Sequence, residues 1–261
     1  MNFASILELF DEERRCLVDP GWVRETAGSV VRHVRRYSTE SLIAFSAHRP
    51  EDLSRAISGE IEYFRSLGHD FEWKTYAHDR PKELVERLRE SGFSVGPPEV
   101  VVVAGVSDVL AQLSDCRFEV SRLTDPDRLD EFLVVSSQIW GAETGSRMAE
   151  AMRDSPDSIG VYVAYCDGGP VGGSRSNFHA ESVFSGLGGG GVLPAYRRRG
   201  VYRSMVGKRA RDAEAHGATF LRVDALPTSR PILEKLGFQR LSETRPCVWC
   251  SAKDRGSSEE E

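Results

Sequence analysis

Three consecutive arginines followed by a glycine, Arg197–Gly200, are the residues of this sequence best suited to binding an anion. A strand-like run ending at Val192-Leu193-Pro194 precedes them, and a helix-like run follows from Val201. The first turn of a helix leaves backbone N–H groups without internal partners, and the helix dipole makes that end positive. A glycine lets a phosphate approach the backbone, and arginine adds planar donors. The segment predicts a diphosphate site. The alternatives are a solvated basic turn, which needs neither the glycine nor the strand end, and a generic phosphate loop.

Other chemistries find less support in the sequence. Neither G-x-x-x-x-G-K-[ST] nor G-x-G-x-x-G stands at the arginine segment. Ser185 and Ser204 lack a G-x-S-x-G context, so a serine hydrolase is not indicated. The single C-x-x-C pair, Cys247 and Cys250, has no second pair to complete a zinc site, and the six histidines show no H-x-x-x-H spacing. We therefore expect no metal.

The elements around the segment alternate between helix-like and strand-like patterns, which is typical of a mixed α/β protein. A hairpin is predicted at 160–165 and 171–178, turning at 167–170. After the arginines come a helix that ends at Gly217, a strand at 220–225 and a short helix at 229–236. Gly188–Gly191 is unusual in a strand: it indicates either close approach of a ligand or a β-bulge without one.

A weak internal repeat links the two halves of the chain. Gly68-His69-Asp70-Phe71 matches Gly217-Ala218-Thr219-Phe220 as a helix stop followed by a strand. Each strand is followed by Arg-Pro, a short helix and Gly-Phe. The repeat predicts two halves with one fold. The alternative is that any two strand–helix units can share glycine and proline residues at the ends of their elements. The first half has His48-Arg49-Pro50-Glu51-Asp52 where the second has its arginines, and we expect it to bind no cofactor.

The second half, from about Arg117 to Cys250, resembles the GNAT superfamily of N-acetyltransferases. Arg197-Arg198-Arg199-Gly200-Val201-Tyr202 is similar to its [RQ]-x-x-G-x-[GA] motif, and Leu236-Gly237-Phe238 follows at the family's spacing. The resemblance implies acetyl-CoA as co-substrate, held between the strand ending at Val192-Leu193 and the strand 220–225. It implies a binding set of Val192, Leu193, Arg197, Arg198, Arg199, Gly200, Val201, Tyr202, Arg203 and Ser204.

Two departures affect the catalytic residues. Tyr202 stands where the motif has Gly or Ala, and we expect its ring to face the core. Leu233 stands where the family often has a tyrosine that protonates the CoA thiolate, so Ser229, a water or the substrate ammonium would supply that proton. Glu181 is a candidate general base, although a solvated strand-end acid is the other interpretation, and His179 is an alternative.

Together these observations predict an α/β (α+β) chain with two GNAT-like domains, each a mixed, mostly antiparallel sheet flanked by helices. We place a degenerate domain at 1–105, a connector at 106–116, the acetyltransferase domain at 117–252 and a disordered acidic tail at 253–261. The predicted activity is transfer of an acetyl group from acetyl-CoA to a primary amine, small-molecule or peptide, by direct attack in a ternary complex. A non-catalytic acyl-CoA sensor is the alternative.

Composition indicates which partners and which cellular location such a protein would have. The 261 residues are 40% hydrophobic and carry a formal net charge of -6, which speaks against a nucleic-acid surface. No apolar run approaches the ~20 residues of a membrane span. The start of the chain lacks the pattern of a secretory signal, and five cysteines are typical of reduced thiols. We expect a cytoplasmic monomer or homodimer.

Overall fold

The computed structural model describes residues 2–19, 21–35, 39–113, 117–141, 152–153 and 155–251. The predicted tail at 253–261 lies outside them. The helices are α1 (Phe3–Cys16), α2 (Leu53–Leu67), α3 (Leu84–Glu90), α4 (Val106–Gln112), α5 (Asp130–Trp140), α6 (Val201–Ala215) and α7 (Arg230–Glu234). The strands are β1 (Trp22–Ala27), β2 (Val30–Arg35), β3 (Glu40–Ser46), β4 (Asp70–Tyr76), β5 (Ser94–Val95), β6 (Glu99–Gly105), β7 (Val120–Leu123), β8 (Ile159–Cys166), β9 (Gly169–Asn177), β10 (Phe184–Val192), β11 (Phe220–Ala225) and β12 (Gln239–Trp249). None of the helices in these ranges is long and apolar enough to cross a membrane.

The chain forms two compact units, of which the first comprises Met1–Val101 and Leu241–Glu261. Its strands run in the order β1-β2-β3-β4-β12, and β5 pairs with β12. Strands β3 and β4 are parallel, and their pairing ends at Ile43 and Trp73. The apolar stripe of α2, which contains Ile57 and Phe64, packs into a core that includes Trp73. A 3-10 turn, Pro50–Asp52, precedes α2, and Gly68 in the left-handed conformation follows it.

The second unit comprises Val102–Arg240. Its sheet has the order β6-β11-β10-β9-β8-β7, with β10 and β11 parallel and β7 to β10 antiparallel. Helices cover both faces: a methyl group placed on Gly172 would meet Met205 of α6 at 3.2 Å, and one on Gly173 would meet Phe132 of α5 at 3.2 Å. The alternation of β9 therefore directs even-numbered residues toward α6 and odd-numbered residues toward α5.

The compact units divide the chain differently from the predicted domains at 1–105 and 117–252. The difference lies in the end strands: β12, which we assigned to the second domain, pairs with β4 in antiparallel register from Thr244↔Tyr76 to Trp249↔Phe71. Its Cys247 and Trp249 are buried in the core of the first unit. The connector predicted at 106–116 begins with α4, which packs against α6 in the second unit. A contact-based division follows hydrogen bonds and burial, whereas the predicted domains follow the repeat in the sequence.

Candidate functional site

The parallel strands β10 and β11 of the second unit pair over only part of their length. The paired residues run from Phe184↔Phe220 to Gly186↔Arg222. β10 continues to Val192 and β11 to Ala225, with no pair between them beyond this point. The two strands therefore separate toward their carboxyl ends and leave a gap whose walls carry unpaired backbone groups.

The glycine run of β10 forms a β-bulge along the edge that faces β9. Gly188 pairs with Arg175 and Gly191 with Gly173, so β10 holds one extra residue, and Gly189 has φ 53°. The bulge that the sequence offered as one alternative is thus present. Close packing also excludes side chains here, because a Cβ on Gly191 would lie 2.8 Å from Ile139. The residues Gly186–Gly191 match the pattern G-x-G-x-x-G, but they lie inside β10 and do not form the turn before a helix that a dinucleotide-binding motif requires.

The arginine segment lies between the end of β10 and α6. Arg198 and Gly200 both have positive φ, 62° and 101°, and Gly200 directly precedes the first residue of α6. The first turn of α6 contains no acidic residue. The N–H groups of Val201, Tyr202 and Arg203 have no partner within the helix, as in any first turn. These free N–H groups lie beside the exposed Arg198 and Arg199, and together they make the segment suited to binding an anion.

Several residues of the predicted binding set are already engaged within the protein. The Ser204 N–H donates to the Gly200 carbonyl at 3.1 Å, and its hydroxyl accepts from the Phe118 N–H at 3.3 Å. The Leu193 N–H donates to the Val171 carbonyl at 2.9 Å. These hydrogen bonds leave the N–H groups of Ser204 and Leu193 unavailable to a ligand. Arg197 donates its Nε–H to the Val192 carbonyl at 3.0 Å, which holds the loop against the strand end.

The structure separates the two catalytic candidates named from the sequence. Glu181 is exposed and lies in the turn before β10, where β10 and β11 are still paired. It does not come to the gap, because the paired residues lie between. Ser229 lies after β11, just before α7, and its hydroxyl donates to the Leu226 carbonyl at 3.2 Å. Leu233, at the position of the family's tyrosine, is completely buried.

Sequence reasoning missed two residues beside the gap. Asp224 is half-buried on β11, beyond the last pair with β10. Arg209 is 1% exposed on the sheet-facing side of α6. Arg209 interrupts the buried stripe of Met205, Val206, Ala210 and Ala213, and this charge in an apolar pattern is the signal that could have identified it. Asp224 lies with Arg222 on the half-buried face of β11, where a charged residue is ordinary, so the sequence carried no signal for it.

Tyr202 is half-buried, and its ring lies over the bulge. A Cβ on Gly190 would meet the Tyr202 ring at 3.0 Å and its hydroxyl oxygen at 3.6 Å. The ring therefore faces the sheet, as the sequence analysis expected, and it does so next to the opened part of β10. The Arg209 guanidinium carbon lies 6.0 Å from the ring centroid.

The first unit has a corresponding opening between β3 and β4, but its own side chains fill it. Beyond Ile43 and Trp73 the strands no longer pair. The Arg14 Nε–H donates to the Ala44 carbonyl at 3.1 Å, and the Trp73 indole N–H donates to the Ser46 hydroxyl at 3.0 Å. The loop that follows contains Pro50, which has no N–H, and two acids in its turn.

A group of potential metal ligands also lies in the first unit, at Asp11, His78 and Asp79. Arg14 donates to Asp11 at 2.7 Å and to both carboxylate oxygens of Asp79 at 3.0 and 3.1 Å. Because the guanidinium already donates to oxygen atoms of both carboxylates, we interpret the cluster as an ion-pair network that anchors α1.

Comparison with known proteins agrees with this geometry. Residues 125–238 match the sequence model of the family described as "Acetyltransferase (GNAT) family". No curated protein sequence matches the chain significantly. The chain is similar in structure to a GCN5-related N-acetyltransferase from Kribbella flavida, with 15% identity, 95% of each chain covered and a TM-score of 0.70.

Two further structures are similar over nearly the whole chain. A conserved protein of unknown function from Staphylococcus epidermidis has 13% identity and a TM-score of 0.66, over 90% of this chain and 96% of that one. A tandem GNAT protein from the clavulanic acid biosynthesis pathway has 11% identity and a TM-score of 0.59, over 95% of this chain and 94% of that one. At these identities the likeness concerns the fold, and it agrees with the tandem arrangement that the repeat predicts.

Proposed function

We propose that this protein transfers an acetyl group from acetyl-CoA to a primary amine, because residues 125–238 match the sequence model of the GNAT acetyltransferase family. The observation that carries the proposal is the gap between β10 and β11, which leads at its open end into Gly200 and the first turn of α6. A diphosphate at that turn and an extended arm in the gap would bring a thioester between the strands. Acetyl-CoA, when bound, supplies an acyl group activated for attack.

The chain's own residues fit such a ligand. The N–H groups of Val201, Tyr202 and Arg203 would hold the diphosphate, with the exposed Arg198 and Arg199 adding charge. A Cβ on Gly200 would have only the Phe118 ring within 4 Å, at 3.9 Å, so the approach to the turn is open. The unpaired edges of β10 and β11 would accept the amide groups of the extended arm.

We propose Asp224 as the general base in place of Glu181. A primary amine is protonated at neutral pH and must lose a proton before it can attack a carbonyl carbon. Asp224 lies on the opened part of β11, two residues beyond Arg222 and on the same face of the strand. That face is the α5 side of the sheet, because a Cβ on Gly186 would meet both Asn177 of β9 and Arg222. The amine would therefore approach from the α5 side and attack the thioester directly in a ternary complex.

The acceptor class follows from charge. The chain carries a formal net charge of -6, which favours cationic acceptors such as polyamines, aminoglycosides or lysine side chains. Trp140, at the end of α5, is 49% exposed, and its indole nitrogen would lie 3.3 Å from a Cβ on Gly191. An exposed aromatic face near the gap suits an ammonium or the apolar part of a small amine.

Release of free CoA thiol from acetyl-CoA in the presence of an amine panel tests this function. We expect amine-dependent thiol release, acetylated amine by mass spectrometry, and a loss of kcat of at least a hundredfold in Asp224→Asn. The matched variant Glu181→Gln removes an exposed carboxylate outside the gap and should retain kcat. Binding of acetyl-CoA with no thiol release from any amine would support the sensor alternative instead.

A further inference from the structure

Arg209 is a buried cation with no carboxylate partner in the described part of the chain. It is 1% exposed. Its Nε–H donates to the Met205 carbonyl at 3.2 Å and its Nη1 to the Arg175 carbonyl at 3.3 Å, while Nη2 has no partner. Burial lowers the pKa of its guanidinium, against the opposing influence of Tyr202 and Tyr162. Burying a cation without an anion is costly, so this position points to a negative charge that arises nearby.

The unpartnered nitrogen points toward the bulge of β10. Arg209 Nη2 lies 3.6 Å from the position of a Cβ on Gly190, and the Tyr202 hydroxyl oxygen lies 3.6 Å from the same position. Gly190 belongs to the part of β10 that no longer pairs with β11. The guanidinium and the phenol therefore border the gap together from the α6 side, across the sheet from Asp224.

Thioester cleavage creates a negative charge in this gap. When an amine nitrogen forms its bond to the carbonyl carbon, the carbon–sulfur bond breaks and its electron pair goes to sulfur as a thiolate. A thiol has a pKa near 8.5 and a phenol near 10, so an isolated phenol is the weaker acid by a factor of about 30. A cation beside the phenol stabilises the phenolate and reduces that disadvantage.

We propose that Tyr202 is the catalytic acid that protonates the leaving thiolate, and that Arg209 is the positioning residue that stabilises the phenolate formed. The inference rests on the proposed acetyl transfer. Asp224 takes one proton from the substrate ammonium before attack. The phenol hydroxyl gives its proton to sulfur, and the phenolate is reprotonated through solvent by the second proton, which the nitrogen loses as the amide forms. The proton transfer needs no further reactant. The alternative positions are unsuited: Leu233 is buried and apolar, and the Ser229 hydroxyl donates to the Leu226 carbonyl.

Tyr202→Phe tests the proposal in the full chain with acetyl-CoA and an accepted amine. The variant removes one oxygen and keeps the ring on Gly190, so acetyl-CoA affinity measured by calorimetry should change less than threefold. We expect kcat to fall at least tenfold, within the range of general acid catalysis. The matched control is Tyr165→Phe, a half-buried tyrosine of β8 whose hydroxyl donates to Glu131, which should retain kcat.

The split between cofactor binding and turnover separates acid catalysis from packing. Tyr202→Phe should lower kcat while the KM for acetyl-CoA changes less than threefold. Arg209→Met removes the cation beside the phenol and should likewise lower kcat, whereas Arg209→Lys should restore it in part. A purely structural role would weaken acetyl-CoA binding together with kcat.

Three results would overturn the proposal while leaving the proposed function intact. They are a Tyr202→Phe kcat within threefold of the wild type, a loss of acetyl-CoA affinity in this variant as large as its loss of kcat, and a kcat unchanged by Arg209→Met in a folded protein. Should Arg209→Met fail to fold, the Tyr202→Phe results decide alone. A wild-type chain that acetylates no amine would refute the proposed function itself, together with this inference.

Discussion

Arg14 of α1 donates its Nε–H to the carbonyl oxygen of Ala44 at 3.1 Å, at the first residue of β3 beyond its parallel pairing with β4. Arg14 is 8% exposed, and its guanidinium also lies 4.0 Å from the ring centroid of Tyr76. The opening of the first unit is thus filled by the protein's own helix. In the second unit the corresponding opening begins after Gly186 and Arg222, at the equivalent register of the repeat.

This difference predicts one CoA site per chain. Calorimetric titration of the full chain with CoA should give a stoichiometry of one, because the Arg14 side chain occupies the opening of the first unit and the acids beside Pro50 repel an anionic ligand. A stoichiometry of two would contradict the prediction, as would CoA density beside Pro50 in a crystal structure.

Gly200 provides the sharpest test of the diphosphate site. Its φ of 101° strains any side chain, so Gly200→Asn and Gly200→Asp should lose similar stability. Only the aspartate adds a negative charge to the first turn of α6, where it would repel a diphosphate. We expect CoA affinity at least tenfold weaker in Gly200→Asp than in Gly200→Asn, about 1.4 kcal/mol. Equal affinities in the two folded variants would remove the diphosphate from this turn.

The Asp11 cluster predicts a pH dependence of stability. Although burial acts to raise it, hydrogen bonding to His78 and the charge of Arg14 hold the pKa of Asp11 below its ordinary value. A lowered folded-state pKa contributes stability above the unfolded pKa of about 3.9, and this contribution is lost as the pH falls through the folded value. Asp11→Asn should therefore reduce the free energy of unfolding at pH 6, and its difference from the wild type should shrink toward pH 3.

Urea denaturation from pH 6 to pH 3 measures this difference. Glu8→Gln, which alters an exposed carboxylate of the same helix, is the control and should follow the wild type throughout. A difference between Asp11→Asn and the wild type that stays constant over this range would show that the carboxylate gains nothing from its neighbours.

Local patterns in the sequence were enough to predict most of the elements. The turn at 167–170 and the alternation beside it predict the hairpin of β8 and β9, and Gly217 ends its helix because glycine accepts the left-handed conformation. The anion loop was also predictable, because its arginines, glycine and strand end are contiguous. Such features depend on neighbours in the chain.

Features that depend on distant residues were not predictable. The pairing of Cys247 with Trp73 joins segments whose order in the sheet no local pattern encodes. The apolar stripe of α6 identified the buried face but gave no reason for a cation at Arg209. The same limit applies to the position of Glu181 relative to the gap, since only the register of β10 with β11 shows at which end the strands separate.

Leu233 carries the last prediction, because its position in the motif and its surroundings favour opposite outcomes of one substitution. The family often has a tyrosine there, so the motif alone predicts that Leu233→Tyr restores a missing acid. The side chain, however, is completely buried, and the Leu233 carbonyl accepts from the Phe238 N–H at 3.1 Å in the turn that closes α7. A phenol at this site adds volume to a packed core and buries a hydroxyl, which costs about 1–3 kcal/mol. We expect a lower midpoint of urea denaturation and no gain in kcat.

Ile232→Tyr, at the adjacent position of α7 with 39% exposure, is the matched control and should leave the free energy of unfolding within about 0.5 kcal/mol of the wild type. An unchanged midpoint together with a raised kcat in Leu233→Tyr would show that residue 233 reaches the gap, and would return the role of the acid from Tyr202 to α7.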